Sequence, residues 1–396
     1  MRVGAGIDND AIAIQPSFVQ RIDDGAFTVA LHTPHCDSEL SRFVRNARIQ
    51  LLKRLRPVHR GFSLAEQIEI WAVNDKQAHV SATSGRNRSR PRKERRMQDI
   101  IVSAAAPDAG IAIVAAITTR LVTEARDRHD FAPTTTAAVG RLITGAALFG
   151  GTLKGSERVT LQIVGDGPIG GLSAESWMLA DGAVGARAYA RDPRADLPLN
   201  SRGKFDVAGI VGAGNLQVMK SYDAGNPYSS VVPLHSGEIA EDLAAYLVAS
   251  EQIPSVVALG VLANPQGVQA AGGIIAQVLP GADEKTIALL EERARAMPPI
   301  TTLIRDGADA HALLHALAGP LELRAHRSVD IRFACLCTQE KVERVLRGLG
   351  VEELRAIATE RNEAEVICEY CKHPWIFTRE QILALAENIG GTEEPG

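Results

Sequence analysis

Cys335-Leu336-Cys337 and Cys368-Glu369-Tyr370-Cys371 carry four of the chain's five cysteines, with 30 residues between the two pairs. Two short-spaced pairs from separate segments supply the four soft ligands of a zinc tetrahedron, and the helices predicted between them close the ring. The unusual half is Cys-x-Cys, because common zinc ribbons and fingers use Cys-x2-Cys or Cys-x4-Cys knuckles. A one-residue gap holds two thiolates close enough for oxidation to join them in a strained disulfide. A cage able to exchange a metal for two disulfides is a redox sensor. Around it, Thr338 is placed to cap a helix running through Val342, Val345 and Leu346 to Gly348, and Thr378-Arg379-Glu380-Gln381 has the spacing of a capping box that opens the last helix. Residues 329–390 therefore read as a small module. It buries too little apolar surface to be comfortably stable alone, so a metal contributes much of its folding free energy, on the order of 10 kcal/mol for structural zinc.

Upstream of the module, residues 282–328 read as helical and highly charged, clearest at 284–297 and 308–317 and broken by Pro298-Pro299. Few bulky apolar residues anchor this segment, which makes it the expected hinge, a linker that unfolds locally. From Gln98 to Gly281 helix-like and strand-like segments alternate. Residues 115–128 place Arg120, Glu124 and Arg128 opposite an apolar face, and 134–153 form a second, Ala-rich helix. Residues 159–164 alternate, Gly165-Asp166-Gly167-Pro168 turns the chain, and 171–175 resume an extended pattern, which predicts an antiparallel meander. Residues 239–250 make an amphipathic helix with Glu238 and Glu241 near its positive end, and 255–262 and 272–279 are apolar extended runs. The fold class is α+β: a domain over 97–281 with an antiparallel sheet and flanking helices, a helical linker, and a small C-terminal zinc-binding domain.

Residues 1–96 differ from all of this. Between 86 and 96 the run has seven basic residues against one acid, and nothing in it packs a core. Isolated helical turns fit the apolar residues at 62–71, but no complete domain is visible. The leader reads as disordered and Arg-rich, with Met97 opening the ordered part and Cys36 a free thiol without function. A nucleic-acid or membrane arm is the functional alternative for its basic run.

Composition bounds the rest. A 396-residue chain with 45% hydrophobic residues suits a soluble globular protein of two or three domains. No run approaches ~18 uninterrupted apolar residues, and the start lacks a charged head followed by an apolar signal core, so no membrane association is expected. The expected compartment is the cytosol, where thiols stay reduced and clustered cysteines bind metal or sense redox more often than they staple a fold. A net charge of −4 argues against a dedicated nucleic-acid binder, and residues 330–396 contain 13 acidic and 8 basic side chains.

Gly165-Asp166-Gly167-Pro168-Ile169-Gly170 fits the G-x-G-x-x-G dinucleotide fingerprint only formally. That fingerprint needs a helix starting within the loop, whereas Pro168 removes a donor and Gly170-Gly171 opposes a helix, so the reading is a tight turn. Gly212-Ala213-Gly214-Asn215 reads as a turn between strands. No nucleophile elbow, H-E-x-x-H helix or P-loop occurs, no catalytic residue is singled out, and the chain is not expected to be an enzyme. His235, His311 and His315 read as surface or satisfied core groups. His373 lies two residues after Cys371, but four thiolates already fill a tetrahedron, which leaves it outside the ligand set.

Spacing alone leaves two readings of the four cysteines open, a permanent zinc clip and a switch. Bound zinc keeps each sulfur as the thiolate that peroxide attacks, so a cage can be stable at rest and primed for oxidation. Local disulfides within each pair need no global rearrangement, and the neighbouring helical segment looks marginal; both features favour the switch.

The chain from Met97 to about Ala386 resembles the Hsp33 family, redox-regulated molecular chaperones of bacteria. The resemblance is carried by Leu161-Gln162-Ile163-Val164-Gly165-Asp166-Gly167-Pro168, Asp196-Leu197-Pro198-Leu199-Asn200, Ser236-Gly237-Glu238-Ile239-Ala240-Glu241-Asp242-Leu243, Ser250-Glu251-Gln252-Ile253-Pro254-Ser255, Ala270-Ala271-Gly272-Gly273 and both cysteine pairs. Residues 1–96 lie outside it, which supports Met97 as the biological start. The resemblance implies an ATP-independent holdase. In its reduced form Cys335, Cys337, Cys368 and Cys371 hold one zinc ion and the protein is nearly inactive. Oxidation pairs Cys335 with Cys337 and Cys368 with Cys371, expels the zinc, unfolds module and linker, and exposes apolar surface that captures unfolding client proteins, the active form being a homodimer. A zinc-dependent nucleic-acid-binding protein with a purely structural metal site is the alternative from another class, and a thiol oxidoreductase ranks last, since no thioredoxin-like βαβ context surrounds Cys-x-x-Cys.

Overall fold

Strands of β-branched and small residues, apolar on both faces, form sheets that must be covered on both sides, and 98–335 shows how this chain does so. The structure is a computed structural model that describes residues 27–30 and 98–390, apart from 154, 156, 223–226 and 265. The basic run at 86–96, the apolar residues at 62–71 and Cys36 lie outside the described residues. The chain divides into two units, with the boundary between Cys335 and Leu336. The first strand, β1 (Phe27–Ala30), belongs to the tail unit.

In the larger unit, β2 (Ile100–Ala106) and β3 (Ile111–Ile117) lead into α1 (Thr119–His129) and α2 (Pro133–Gly150), followed by the strands β4 (Arg158–Gly165), β5 (Leu172–Met178) and β6 (Val184–Ala190). A short α3 (Val207–Val211) precedes β7 (Gly214–Ser221) and β8 (Tyr228–Pro233), and α4 (Ala240–Ala249) precedes β9 (Ser255–Asn264) and β10 (Gly267–Val278). Three helices, α5 (Glu284–Ala296), α6 (Ile300–Arg305) and α7 (Ala310–Ala318), end at β11 (Arg324–Phe333). Ten strands form one sheet in the order β8-β7-β4-β5-β6-β11-β2-β3-β10-β9. Every pairing is antiparallel except β6 with β11, which is parallel, with Ile331 opposite Val184, Arg332 opposite Gly185 and Phe333 opposite Ala186. The expected α+β class and the antiparallel pairing of the two segments read as strands, β4 and β5, are both present, and β6 extends them into a meander.

One face of the sheet packs on α2, which is buried along almost its whole length. Pro133 opens the helix where its missing N–H costs nothing. Gly145 allows close approach, since a Cβ there would run into Leu243. Along β3, Val114 and Ala116 point into this core, while Ile111, Ile113, Ala115 and Ile117 point into a second core on the opposite face. Residues 115–117 are thus strand, and the helix expected from 115 begins at Thr119. The run Ile111–Ile117 is apolar throughout, and a strand held between β2 and β10 satisfies both of its faces.

The second core changes the reading of 282–328. Leu290, Ala294, Met297, Ile300, Ile304, Leu313, Leu314 and Leu317 are buried against β2, β3, β9 and β10. Asp283 and Asp309 cap α5 and α7, accepting from the N–H of Thr286 and of Ala312, each at 2.8 Å. The expectation of few apolar anchors fails because the anchors come from three short helices whose modest stripes add up over one sheet face. Residues 324–328, read as helical, are the first half of β11. At Gly165–Gly170 no helix follows the turn, and a Cβ on Gly167 would meet the Ile210 carbonyl oxygen. Gly212 and Ala213 connect α3, not a strand, to β7.

Asp99 closes the start of α1. Its carboxylate accepts from the N–H of Arg120 at 3.1 Å and of Leu121 at 2.7 Å. Burial pushes this carboxyl up to about 6, against the pull of those two donors and of the Arg120 charge.

In the tail unit, α8 (Gln339–Arg347), α9 (Val351–Glu360), β12 (Glu363–Cys368), β13 (Pro374–Thr378) and α10 (Arg379–Gly390) enclose a separate core that includes Val342, Leu346, Leu354, Val366, Phe377 and Ile382. Thr338 caps α8, its hydroxyl accepting from the N–H of Lys341 at 3.3 Å. The capping box is present, with Thr378 N–H donating to Gln381 Oε1 at 2.9 Å and Gln381 N–H to Thr378 Oγ1 at 3.4 Å. The sheet order is β1-β12-β13, with Phe27 opposite Cys368 and Ala30 opposite Glu365. One four-residue piece of the leader therefore departs from the expectation of disorder. Among the described residues no helix is long and apolar enough to cross a membrane.

Two outcomes follow from this packing. Leu313→Ala, at a fully buried position, should lower the unfolding free energy by about 2–5 kcal/mol in urea denaturation; a change of a few tenths would show that α7 is not anchored. The folded-state pKa of Asp99 lies above its unfolded value, so its stabilising contribution is complete below about pH 4 and is lost as pH rises through about 6. Stability should therefore fall between pH 4 and 6 by on the order of 2 kcal/mol from this group, and Asp99→Asn should lack that slope.

Candidate metal centre

Each of the four thiols is placed by an element end. β11 finishes at Phe333, and Ala334 N–H donates to the Ala186 carbonyl at 3.0 Å, which fixes the backbone one residue before Cys335. Cys337 directly precedes Thr338, the cap of α8. Cys368 is the last residue of β12, and Cys371 lies in the turn that leads to β13. Within that turn Lys372 N–H donates to the Cys368 carbonyl at 2.8 Å and Cys368 N–H donates to the His373 carbonyl at 3.1 Å. Lys372 takes a left-handed conformation, φ 57°, which closes the knuckle tightly.

The four sulfur atoms all lie within 4.8 Å of one another. Cys337 and Cys371 sulfurs are 3.4 Å apart, and none of the four is joined in a disulfide. A tetrahedral metal with bonds of about 2.3 Å to sulfur needs sulfur–sulfur edges of about 3.8 Å, so the donor set fits a metal held by four thiolates. Soft sulfur donors in this arrangement suit zinc or another thiophilic metal. Cys368 and Cys371 are buried, and Cys335 and Cys337 are half-buried. The structure thus brings together every cysteine that the spacing singled out. His373 is exposed and packs edge-on against Trp375, with ring centroids 4.8 Å apart, and it is not among the clustered ligands. His235, His311 and His315 are exposed as well.

Sequence reasoning missed a pair of charged residues beside the first thiol. Arg187 Nη1 donates to Cys335 Sγ at 3.4 Å, and Arg187 is also bonded to Glu175 through Nε and Nη2. The available signal was a lone acid in Leu172–Met178 and a lone base in Val184–Ala190, two adjacent strands of otherwise apolar and small residues. Their pairing depends on the register, which places Glu175 opposite Arg187.

Cobalt(II) offers a direct check of the ligand set. The reduced chain loaded with cobalt should show tetrahedral d–d bands and intense thiolate-to-metal charge transfer, and each single Cys→Ser change at 335, 337, 368 or 371 should weaken the charge transfer by about a quarter. An unchanged spectrum for any one of them removes that residue from the site.

Comparison with known proteins identifies a family. The family model described as Hsp33 protein matches residues 99–378. The 33 kDa chaperonin of Acetivibrio thermocellus is 41% identical over 295 residues, covering 74% of this chain and 98% of its own length. That of Desulforamulus reducens is 38% identical over 294 residues, with 74% and 99% covered. Among solved structures, the crystal structure of the Thermotoga maritima 33 kDa chaperonin, a heat shock protein 33 homolog, superposes with a TM-score of 0.69 at 33% identity, covering 74% of this chain and 99% of that one.

Proposed function

The chain belongs to the Hsp33 family of chaperones, and we propose that it is a redox-gated holdase whose resting form holds one zinc ion through Cys335, Cys337, Cys368 and Cys371. The observation that carries this reading is the meeting of four thiols, three of them in the tail, whose core among the described residues has only eleven buried apolar side chains. Zinc bound there supplies charge neutralisation and folding free energy, on the order of 10 kcal/mol, which exceeds what so small a core provides. Oxidation pairs Cys335 with Cys337 and Cys368 with Cys371, and the tail loses the cross-link that keeps it folded.

The helices α5, α6 and α7 then loosen from the sheet. They cover the face that carries Val102, Ile113, Ile117 and Ile274, and this apolar surface is what unfolding client proteins bind. The active form is a homodimer, and the protein works in the cytoplasm without catalysing a reaction. Clients rather than nucleic acids are its partners, since the 13 acidic and 8 basic side chains of residues 330–396 repel phosphate.

Light scattering from a heat-denatured client enzyme tests the gating. Peroxide-treated, zinc-free protein should suppress aggregation at near-equimolar ratio while the reduced, zinc-loaded protein leaves it unchanged. Equal activity of the two forms defeats the proposal.

A further inference from the structure

Glu175 on β5 and Arg187 on β6 stand directly opposite each other in the antiparallel register. Their side chains are 2% and 3% exposed. Arg187 Nε and Nη2 both donate to Glu175 Oε2, at 2.9 and 2.7 Å, while Nη1 donates to Cys335 Sγ at 3.4 Å. The Trp177 ring centroid lies 5.6 Å from the guanidinium carbon. A guanidinium is rigid and planar, so two bonds to Glu175 fix the direction in which Nη1 points. Replacing a buried ion pair by apolar residues of similar volume is often neutral or stabilising, which leaves the stability of the sheet as a poor reason for this one. The sulfur is the better reason. Four thiolates around a divalent ion leave an excess of negative charge, and a cation hydrogen-bonded to one of the sulfurs offsets it. The same N–H···S bond draws on the lone pair with which a thiolate attacks an oxidant.

We propose that Arg187, aimed by Glu175, is a positioning residue of the metal centre: it orients Cys335 as a ligand, tightens metal retention, and slows the reaction of the Cys335 sulfur with a hydroperoxide. The inference rests on the metal-centre reading above. In the slowed step the Cys335 thiolate attacks one peroxide oxygen, so that an S–O bond forms, the O–O bond breaks and hydroxide leaves. A second cysteine thiolate then attacks that sulfur, forming the S–S bond and releasing a second hydroxide. Two thiolates have lost two electrons, and the peroxide has gained them.

The test uses the full chain and two variants. Glu175→Met/Arg187→Met removes both charges and keeps the bulk, while Arg187→Lys keeps the charge but lacks the planar fork that holds Glu175 and Cys335 together. Zinc affinity is measured by competition with a chromophoric chelator, zinc release is followed under hydrogen peroxide, and the charge-transfer band is recorded with cobalt. Both variants should lose about 10- to 100-fold in zinc affinity. Both should release zinc faster and shift the band to lower energy, the double variant more strongly. A merely structural role would lower the thermal midpoint of the metal-free protein and leave the band in place, and that result overturns the proposal. So does unchanged affinity and release in the folded double variant, or in Arg187→Lys should the double variant fail to fold. Absence of zinc from the unsubstituted chain defeats the metal-centre reading and this inference together, whereas failure confined to the variants defeats the inference alone.

Discussion

The parallel pairing of β11 with β6, only three residues long, is the constraint on which the rest of the larger unit depends. On one side of it five strands, β8-β7-β4-β5-β6, run antiparallel, and on the other four, β2-β3-β10-β9, do the same. Each group has an edge of unpaired backbone donors and acceptors at this seam, and β11 covers both, pairing with β2 through Arg324–Asp330 and with β6 through Ile331–Phe333. The same register carries the chain to its first thiol. Phe333 ends the strand, Ala334 N–H is bonded to Ala186, and Cys335 comes next to the Arg187 guanidinium. A fact about strand pairing thus becomes a fact about the placement of a thiol.

The connection between β10 and β11 has a second consequence. It has to return the chain across the sheet, and it does so as three helices, one of only six residues. Helices this short have little stability of their own, so they persist through what they bury. What they bury is the apolar face of β2, β3, β9 and β10. The cover thus keeps an extended apolar face from water. Short helices held by packing can be withdrawn without disturbing the hydrogen bonds of the strands beneath them.

The Glu175–Arg187 pair shows the opposite principle. Its members are among the few charges buried in the sheet, on strands whose neighbouring positions are apolar or small. Burying charge is expensive, and here the guanidinium touches three acceptor directions at once, two at a carboxylate oxygen and one at a sulfur. The larger unit therefore supplies Cys335 with a specific electrostatic environment as well as a backbone position.

The four thiols, both caps in the tail, the β4-β5 hairpin and the class of the fold were legible in the sequence because each is a local matter: spacing along a loop, one hydroxyl at a helix start, alternation over six residues, a glycine-rich turn. The run Ile111–Ile117 was not legible, because an apolar stretch carries no period and only its two neighbouring strands decide that it is extended. The same holds for β11, whose Arg-rich first half looks like surface helix until β2 pairs with it. The anchoring of 284–318 and the meeting of Arg187 with Cys335 were decided by tertiary structure alone, since apolar area and charge act through space, between residues that the chain keeps far apart.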